Sequence, residues 1–324
     1  MEIIDTTEGL RRLEGPSVVT LGNFDGVHLG HRALFRRTVQ RARECNARSV
    51  VYTFEPHPLK ILAPDRAPKL LNTAAEKERL IAASHLDLLI RTPFTRELAS
   101  WSADDFVREV LVGCLQVQHL VVGYDYAFGR DREGDGVFLR AQGEKYGFGV
   151  DVLQPIGADG QPYSSTRIRE MIAAGAVRDV VALLGRNYTF EGRVVPGDQR
   201  GRELGFPTAN LLTDKEQLPA AGVYAVKVRH REQEYAGVVN LGHRPTFGEG
   251  EGTIEVHLLD FTGNLYNEDL RLYFVERLRG EEFFATVEEL QNAITRDVLR
   301  SRQLLKSIRV IQYREYLGHL EKTE

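Results

Sequence analysis

Val18, Val19, Thr20 and Leu21 form a short apolar run of strand-forming side chains, and the polar, glycine-rich stretch Gly22–His31 follows at once. A stripe at Leu34, Phe35, Val39 and Ala42 then predicts an amphipathic helix, and Val50–Phe54 predicts a second strand that Pro56 and Pro58 end. The rhythm continues with a helix over Ala74–Ser84, a strand at Leu86–Ile90, a helix around Ala103–Leu111, and strands at Leu120–Gly123 and Val150–Gln154. Strands alternating with helices predict a parallel sheet covered on both faces. Ligands of such sheets bind at the carboxyl ends of the strands, where Gly22–His31, Phe54–Pro58 and Gly123–Gly129 emerge and can share one crevice.

The pattern changes after Leu183–Arg186. From Tyr188 onward it consists of short strands at Phe190–Val195, Val223–Val228, Ala236–Leu241, Ile254–Leu259 and Leu270–Val275, separated by glycine-rich turns, which predicts a small antiparallel barrel. A final helix from about Thr286 to Leu317 is expected to lay Leu290, Ile294, Val298 and Leu305 against it. The expected domains are therefore 1–186 and 187–324. Neither internal repeats nor low-complexity segments interrupt them.

Composition narrows the partners. The chain has 324 residues, long enough for two cores, and 42 Lys+Arg against 46 Asp+Glu give a formal net charge of -4. No basic tract of the kind that follows a nucleic-acid backbone is present, so nucleic acid is not an expected partner. Cys45 and Cys114 stand apart without metal-ligand spacing, as expected of a reducing cytoplasm. The N-terminal residues lack a basic-then-apolar signal, and no apolar run reaches membrane-spanning length; a soluble cytoplasmic monomer or weak homo-oligomer is expected.

The chemistry concentrates in a few segments. In Gly22-Asn23-Phe24-Asp25-Gly26-Val27-His28-Leu29-Gly30-His31, two histidines lie three residues apart. If a helix starts near Leu29, both imidazoles share a face at its N-terminus, where unpaired amides and the helix dipole favour an anion. Such a site stabilises charge on a phosphate during transfer; a metal pair or a capped turn is the competing reading. Ser164, Ser165 and Thr166 precede Arg167 and Arg169 and offer a second grip on phosphate, or equally an ordinary N-cap with solvated arginines. Downstream, Gly197, Gly201 and Gly205 would let the backbone approach a nucleotide, and the Thr208 hydroxyl and Asn210 carbonyl are hard oxygen donors suited to Mg²⁺, or else parts of a Pro-initiated turn. His57, between two prolines, reads as a structural hydrogen bonder at a strand end.

With these segments in order, the chain resembles the prokaryotic bifunctional riboflavin kinase/FAD synthetase family along essentially its whole length. The resemblance rests on Gly22–His31, Phe54-Glu55-Pro56-His57-Pro58, Val121–Gly129, Ser164–Arg169, Leu204–Asn210, Gly242-His243-Arg244-Pro245-Thr246-Phe247 and Glu255–Phe261. It implies a Rossmann-like nucleotidyltransferase domain followed by a riboflavin kinase barrel. The C-terminal module would phosphorylate riboflavin with MgATP to FMN, and the N-terminal module would join FMN to AMP from ATP, releasing pyrophosphate and giving FAD.

By that resemblance His28 and His31 stabilise the transferring phosphates, and Ser164, Ser165, Thr166 and Arg169 grip them. Gly22, Asn23, Phe24, Asp25 and Gly26 line the nucleotide side, and Gly123, Asp125, Tyr126 and Phe128 the flavin side. Glu255 is the general base of the kinase by its match to the family motif; as a lone strand carboxylate it would ordinarily face outward. Arg279 is a flavin-side contact. The family pattern is departed from at Tyr163, at Tyr126, where phenylalanine is commoner, and at Asn267, where glycine is usual; Asn tolerates a left-handed turn. A class I aminoacyl-tRNA synthetase fragment would share the His-x-Gly-His logic but should carry a Lys-Met-Ser-Lys-type loop and a basic surface, and neither is present. A flavin-binding regulator that has lost turnover is the other competing reading, opposed by motifs intact in both halves.

Overall fold

A computed structural model describes residues 1–6, 9–158, 160–197, 201, 204–243 and 252–311. Arg202 and Glu203, residues 244–247 of the Gly242–Phe247 segment, and residues 312–317 of the expected final helix lie outside them. The chain forms two compact units that divide between Ser165 and Thr166.

The first unit is a six-stranded parallel sheet of β1 (Glu2–Asp5), β2 (Ser17–Leu21), β3 (Arg48–Phe54), β4 (Leu88–Thr92), β5 (Val117–Gly123) and β6 (Gly149–Leu153), in the order β1-β4-β3-β2-β5-β6. Val18, Val19, Val50, Val51, Leu120 and Val121 are fully buried, as the continuous apolar runs of a sheet covered on both faces require. The connections run through α1 (Leu29–Cys45), α2 (Pro58–Leu62), α3 (Ala74–Ala82), α4 (Arg96–Ser100), α5 (Ala103–Asp105) continuing as a π-helical stretch Phe106–Cys114, and α6 (Gly136–Tyr146). β1, α2, α4 and α6 have no counterpart among the expected elements. From β2 the chain proceeds outward through β3 and β4, then returns to the other side for β5 and β6. The switch point therefore lies between β2 and β5, the position at which open α/β sheets bind ligands. A two-stranded ribbon, β7 (Gly157–Ala158) with β8 (Gln161–Pro162), follows.

The second unit opens with α7 (Ser165–Ala173), whose residues from Thr166 onward belong to it, and α8 (Val181–Leu184). Ile168, Ile172, Val177, Val180, Leu183 and Leu184 are buried, and the Ala220 amide donates to the Ile172 carbonyl, so this segment packs with the barrel unit. The barrel is closed and antiparallel, formed by β9 (Thr189–Val195), β10 (Ala209–Leu212), β11 (Gly222–His230), β12 (Gln233–His243), β13 (Gly252–Leu258) and β14 (Asp269–Arg279) in the order β10-β13-β12-β11-β14-β9. β10 is the strand that sequence patterning did not give; its four residues Ala-Asn-Leu-Leu are too short to show alternation. Tyr224, Val226, Val228, Phe190, Leu272 and Phe274 are fully or nearly fully buried, while Val223, Ala225, Val238, Tyr273 and Val275 form a second cluster with Leu305.

The last helix, α9 (Val287–Leu305), buries Ala293, Asp297, Ser301 and Leu305. Leu305 is buried and Val298 packs against the same cluster, as expected, whereas Leu290 and Ile294 are only half-buried and the buried stripe includes two polar residues. Asp297 can occupy it because Arg279 meets it there.

Candidate functional site

In the first unit the Gly22–His31 loop leaves the carboxyl end of β2, flanked by the ends of β3 and β5. The turn is tight: Phe24 and Val27 take φ of 49° and 38°, and Gly26 takes 83°. A Cβ on Gly26 would lie 2.7 Å from Leu71 Cδ1, so both conformation and space demand glycine there. Asp25 is buried and its carboxylate accepts from the Leu71 amide at 2.9 Å and the Asn72 amide at 3.3 Å, fixing the loop to the segment before α3.

His28 is the N-cap of α1, with its Nδ1 accepting from the His31 backbone N–H at 3.4 Å. A neutral imidazole that accepts at Nδ1 carries its proton on Nε2. The His28 and His31 rings stack with centroids 3.6 Å apart and planes at 22°, and Phe24 meets the His31 ring edge-on at 5.3 Å. The two imidazoles thus share one face at the positive end of a seventeen-residue helix, as a helix beginning at Leu29 requires. The Ser165 hydroxyl donates to the Asp25 carbonyl at 2.8 Å, bringing Ser164 and Ser165 to the same loop. Thr166 and Arg169 follow on α7 in the second unit.

Asn23 reaches the loop after β3, where its side-chain amide lies 3.3 Å from His57 Nε2. His57 also caps α2, its Nδ1 accepting from the Leu59 amide at 3.2 Å, which is the structural role read from its place between two prolines. Glu55 is paired with Lys77 at 3.0 Å, a buried lysine on α3 that carries no sequence signal. After β5, Gly123 accepts from the Tyr126 amide and stands close to the Asp125 carboxylate, and Tyr126 stacks on Phe128 at 5.6 Å. Phe128 bridges to Gly134 and also contacts Phe106 and Phe138. Of the flavin-side candidates, Tyr126 and Phe128 therefore belong to an aromatic cluster packed on the sheet core at the end of β5.

The second unit holds the other constellation. Strand register pairs Asn210 on β10 with Glu255 on β13, and Glu255 in turn with Asn240 on β12. Directly paired residues project to the same face, so a carboxylate stands between two carboxamides. Asn240 was not among the residues singled out from the sequence, where one Asn in a strand pattern has no distinguishing mark. A Cβ on Gly197 would lie 2.0 Å from Asn210 Nδ2, so only glycine admits the Asn210 amide against the backbone. Gly201 packs on Phe206 and Thr208, and Gly205 adopts φ of 86°. His257 Nδ1–H donates to the Pro207 carbonyl at 2.8 Å and holds the Pro207–Asn210 segment onto β13. A cleft of about 360 Å³ opens beside Thr208, walled by Val194, Leu258, Phe261, Leu265 and Tyr266. Arg279 donates to Asp297 at 2.9 Å and lies 5.4 Å over the Phe284 ring. Burial raises the Asp297 pKa and Arg279 opposes it.

A family model described as FAD synthetase matches residues 11–167, and one described as riboflavin kinase matches residues 184–305. The bifunctional riboflavin kinase/FMN adenylyltransferase of Pseudomonas fluorescens is 41% identical over 305 residues, covering 94% of this chain and 98% of that protein. The protein of the same description from Escherichia coli K12 is 40% identical over 287 residues, covering 88% and 92%. A crystal structure from Streptococcus pneumoniae, described as a macrolide-efflux protein, superposes with a TM-score of 0.86 at 32% identity and covers 93% of this chain and 99% of that one. Among the described residues no helix is long and apolar enough to cross a membrane.

Proposed function

The chain belongs to the bifunctional riboflavin kinase/FMN adenylyltransferase family, and on that premise we propose how its own residues divide the two reactions. The N-terminal module adenylylates FMN to FAD and the C-terminal module phosphorylates riboflavin to FMN. The activities are assigned to 1–186 and 187–324.

In adenylylation an oxygen of the FMN phosphate attacks the α-phosphorus of ATP, and the bond to the bridging oxygen breaks to release pyrophosphate. No protein nucleophile is needed. The requirement is for donors placed where negative charge builds. His28 and His31 fill it: the His28 proton sits on Nε2, away from the cap, and α1 adds its dipole. The stacked pair at the switch point is the observation that carries this assignment. Gly22, Asn23, Phe24, Asp25 and Gly26 shape the nucleotide side, with Ser164 and Ser165 as the second grip. Gly123, Asp125, Tyr126 and Phe128 take the flavin.

In the kinase module the riboflavin 5′-hydroxyl oxygen attacks the γ-phosphorus, ADP leaves, and the hydroxyl proton passes to Glu255. Thr208 and Asn210 offer two neutral oxygen donors at the start of β10. Among the described residues no cluster of three or more His, Cys, Asp or Glu side chains is placed to hold a metal. That donor set fits Mg²⁺, which keeps water and phosphate oxygens as most of its ligands. When bound, the ion would neutralise phosphate charge. Gly197, Gly201 and Gly205 let the backbone approach the nucleotide, whose base fits the cleft beside Thr208. Arg279 meets the flavin. The partners are the small molecules riboflavin, FMN and ATP, the protein acting as a cytoplasmic monomer or weak homo-oligomer.

Separating flavins after incubation with riboflavin, ATP and Mg²⁺ should yield FMN and FAD together. Chelating the magnesium should stop both. Undiminished FMN formation in chelator would remove Thr208 and Asn210 as metal donors.

A further inference from the structure

We propose that Asn240 and Thr253, with the bare backbone of Gly242 between them, seat the ribityl chain of riboflavin and so present its 5′-hydroxyl to Glu255. The proposal rests on the kinase reading above.

Strand register sets Asn210, Glu255, Asn240, Val223 and Arg279 side by side across β10, β13, β12, β11 and β14. Neighbouring strands lie about 4.8 Å apart, so Asn240 is one strand from the base and two from the flavin-side arginine. The ribityl chain joins the isoalloxazine ring to the 5′-hydroxyl, so a substrate whose hydroxyl meets Glu255 lays that chain beside Asn240, the exposed neighbour of Glu255 on β12. Asn240 is exposed between the buried Val239 and Leu241, so it presents its amide outward.

Two positions along β12, the atoms nearest Gly242 are all polar. A Cβ placed on Gly242 would lie 3.1 Å from Thr253 Oγ1, 3.5 Å from Asn240 Nδ2 and 3.6 Å from Glu281 Oε1. An amide, a hydroxyl and a carboxylate thus converge over one glycine. A polyol needs both donors and acceptors at short spacing, and the amide and hydroxyl each supply both. An aromatic ring or a phosphate would match this recess poorly.

The test uses the full chain and steady-state riboflavin phosphorylation, with lumiflavin, an isoalloxazine without the polyol, as competitive inhibitor. Asn240→Leu and Thr253→Val should each lower kcat/KM for riboflavin by about threefold to tenfold, the effect of one lost hydrogen bond, with the lumiflavin inhibition constant unchanged. Asn240→Ser, which keeps a hydrogen-bonding group, should recover part of the loss. FMN adenylylation by the same preparations should match the parent chain. An inhibition constant that rises in step with the riboflavin KM would overturn the proposal, as would unchanged kcat/KM in both variants. Glu255→Gln assayed alongside separates the two readings: full turnover there removes the base, whereas the riboflavin-to-lumiflavin contrast judges the recess alone.

Discussion

The Tyr126 phenol packs beside Phe128 with its oxygen fully buried, and that oxygen has no hydrogen-bond partner among the described residues. Burial pushes its pKa up, since an ionised oxygen there would be unsolvated. An unpartnered buried hydroxyl costs stability, so Tyr126→Phe should raise the unfolding free energy by about 1 kcal/mol in urea titration. A loss of similar size would mean that the hydroxyl is bonded after all. The residue that departs from the family pattern at position 267 is compatible with its turn: Asn267 takes φ of 64°, the left-handed conformation that asparagine tolerates. His28 shows what single-residue reading misses. Its spacing to His31 was legible, but its service as the cap of α1 depends on a backbone path set by Phe24, Gly26 and Val27.

Between elements, α1 is tied to the sheet by Asp151 on β6, which accepts from Arg37 at 2.6 Å and Arg41 at 2.9 Å and lies 3.2 Å from His119 Nε2 on β5. Burial opposes the charge on Asp151, but hydrogen bonds from Arg41 and Arg37, with the nearby His119, outweigh it and hold its pKa well below the usual carboxylate range. A depressed folded-state pKa stabilises the protein above the unfolded value of about 4, and that contribution is lost as pH falls through the folded value. Asp151→Asn should therefore destabilise by about 2 kcal/mol at neutral pH, with the gap to the parent closing in strong acid. A constant gap across an acid titration of stability would refute the charge-based account. None of this was visible in the sequence, where Arg37 and Arg41 lie more than a hundred residues from Asp151. Elements with a long apolar period, such as α1 and β11, were legible because burial is written into their spacing. β1 and β10 are short, and α6 buries Gln142 and Gly143 beside a single leucine, so their patterns carry little periodic signal. The Asn210–Glu255–Asn240 row was hidden for another reason: register across three strands is a tertiary property that no local pattern encodes.

For the whole molecule, the compact units divide between Ser165 and Thr166, whereas the change of sequence pattern falls near Arg186. The intervening segment contributes buried Ile168, Ile172, Val180 and Leu184, and Arg277 donates to the Ala174 carbonyl. A fragment of Thr166–Glu324 should therefore fold and make FMN without FAD, and it should withstand more denaturant than Asn187–Glu324. Equal stability of the two fragments would place the helical segment outside the kinase unit. On the proposed assignment, the two reactions belong to two separate sets of residues. The most direct measurement of that assignment is a pair of partial reactions, riboflavin to FMN and FMN to FAD, assayed on His28→Ala/His31→Ala and on Glu255→Gln in the full chain. The histidine variant should lose FAD formation by on the order of a hundredfold or more while phosphorylating riboflavin within a few-fold of normal, and the Glu255 variant should show the reverse. FAD formation that survives the loss of both histidines, or phosphorylation that survives Glu255→Gln, would remove the catalytic role of those residues at the corresponding site.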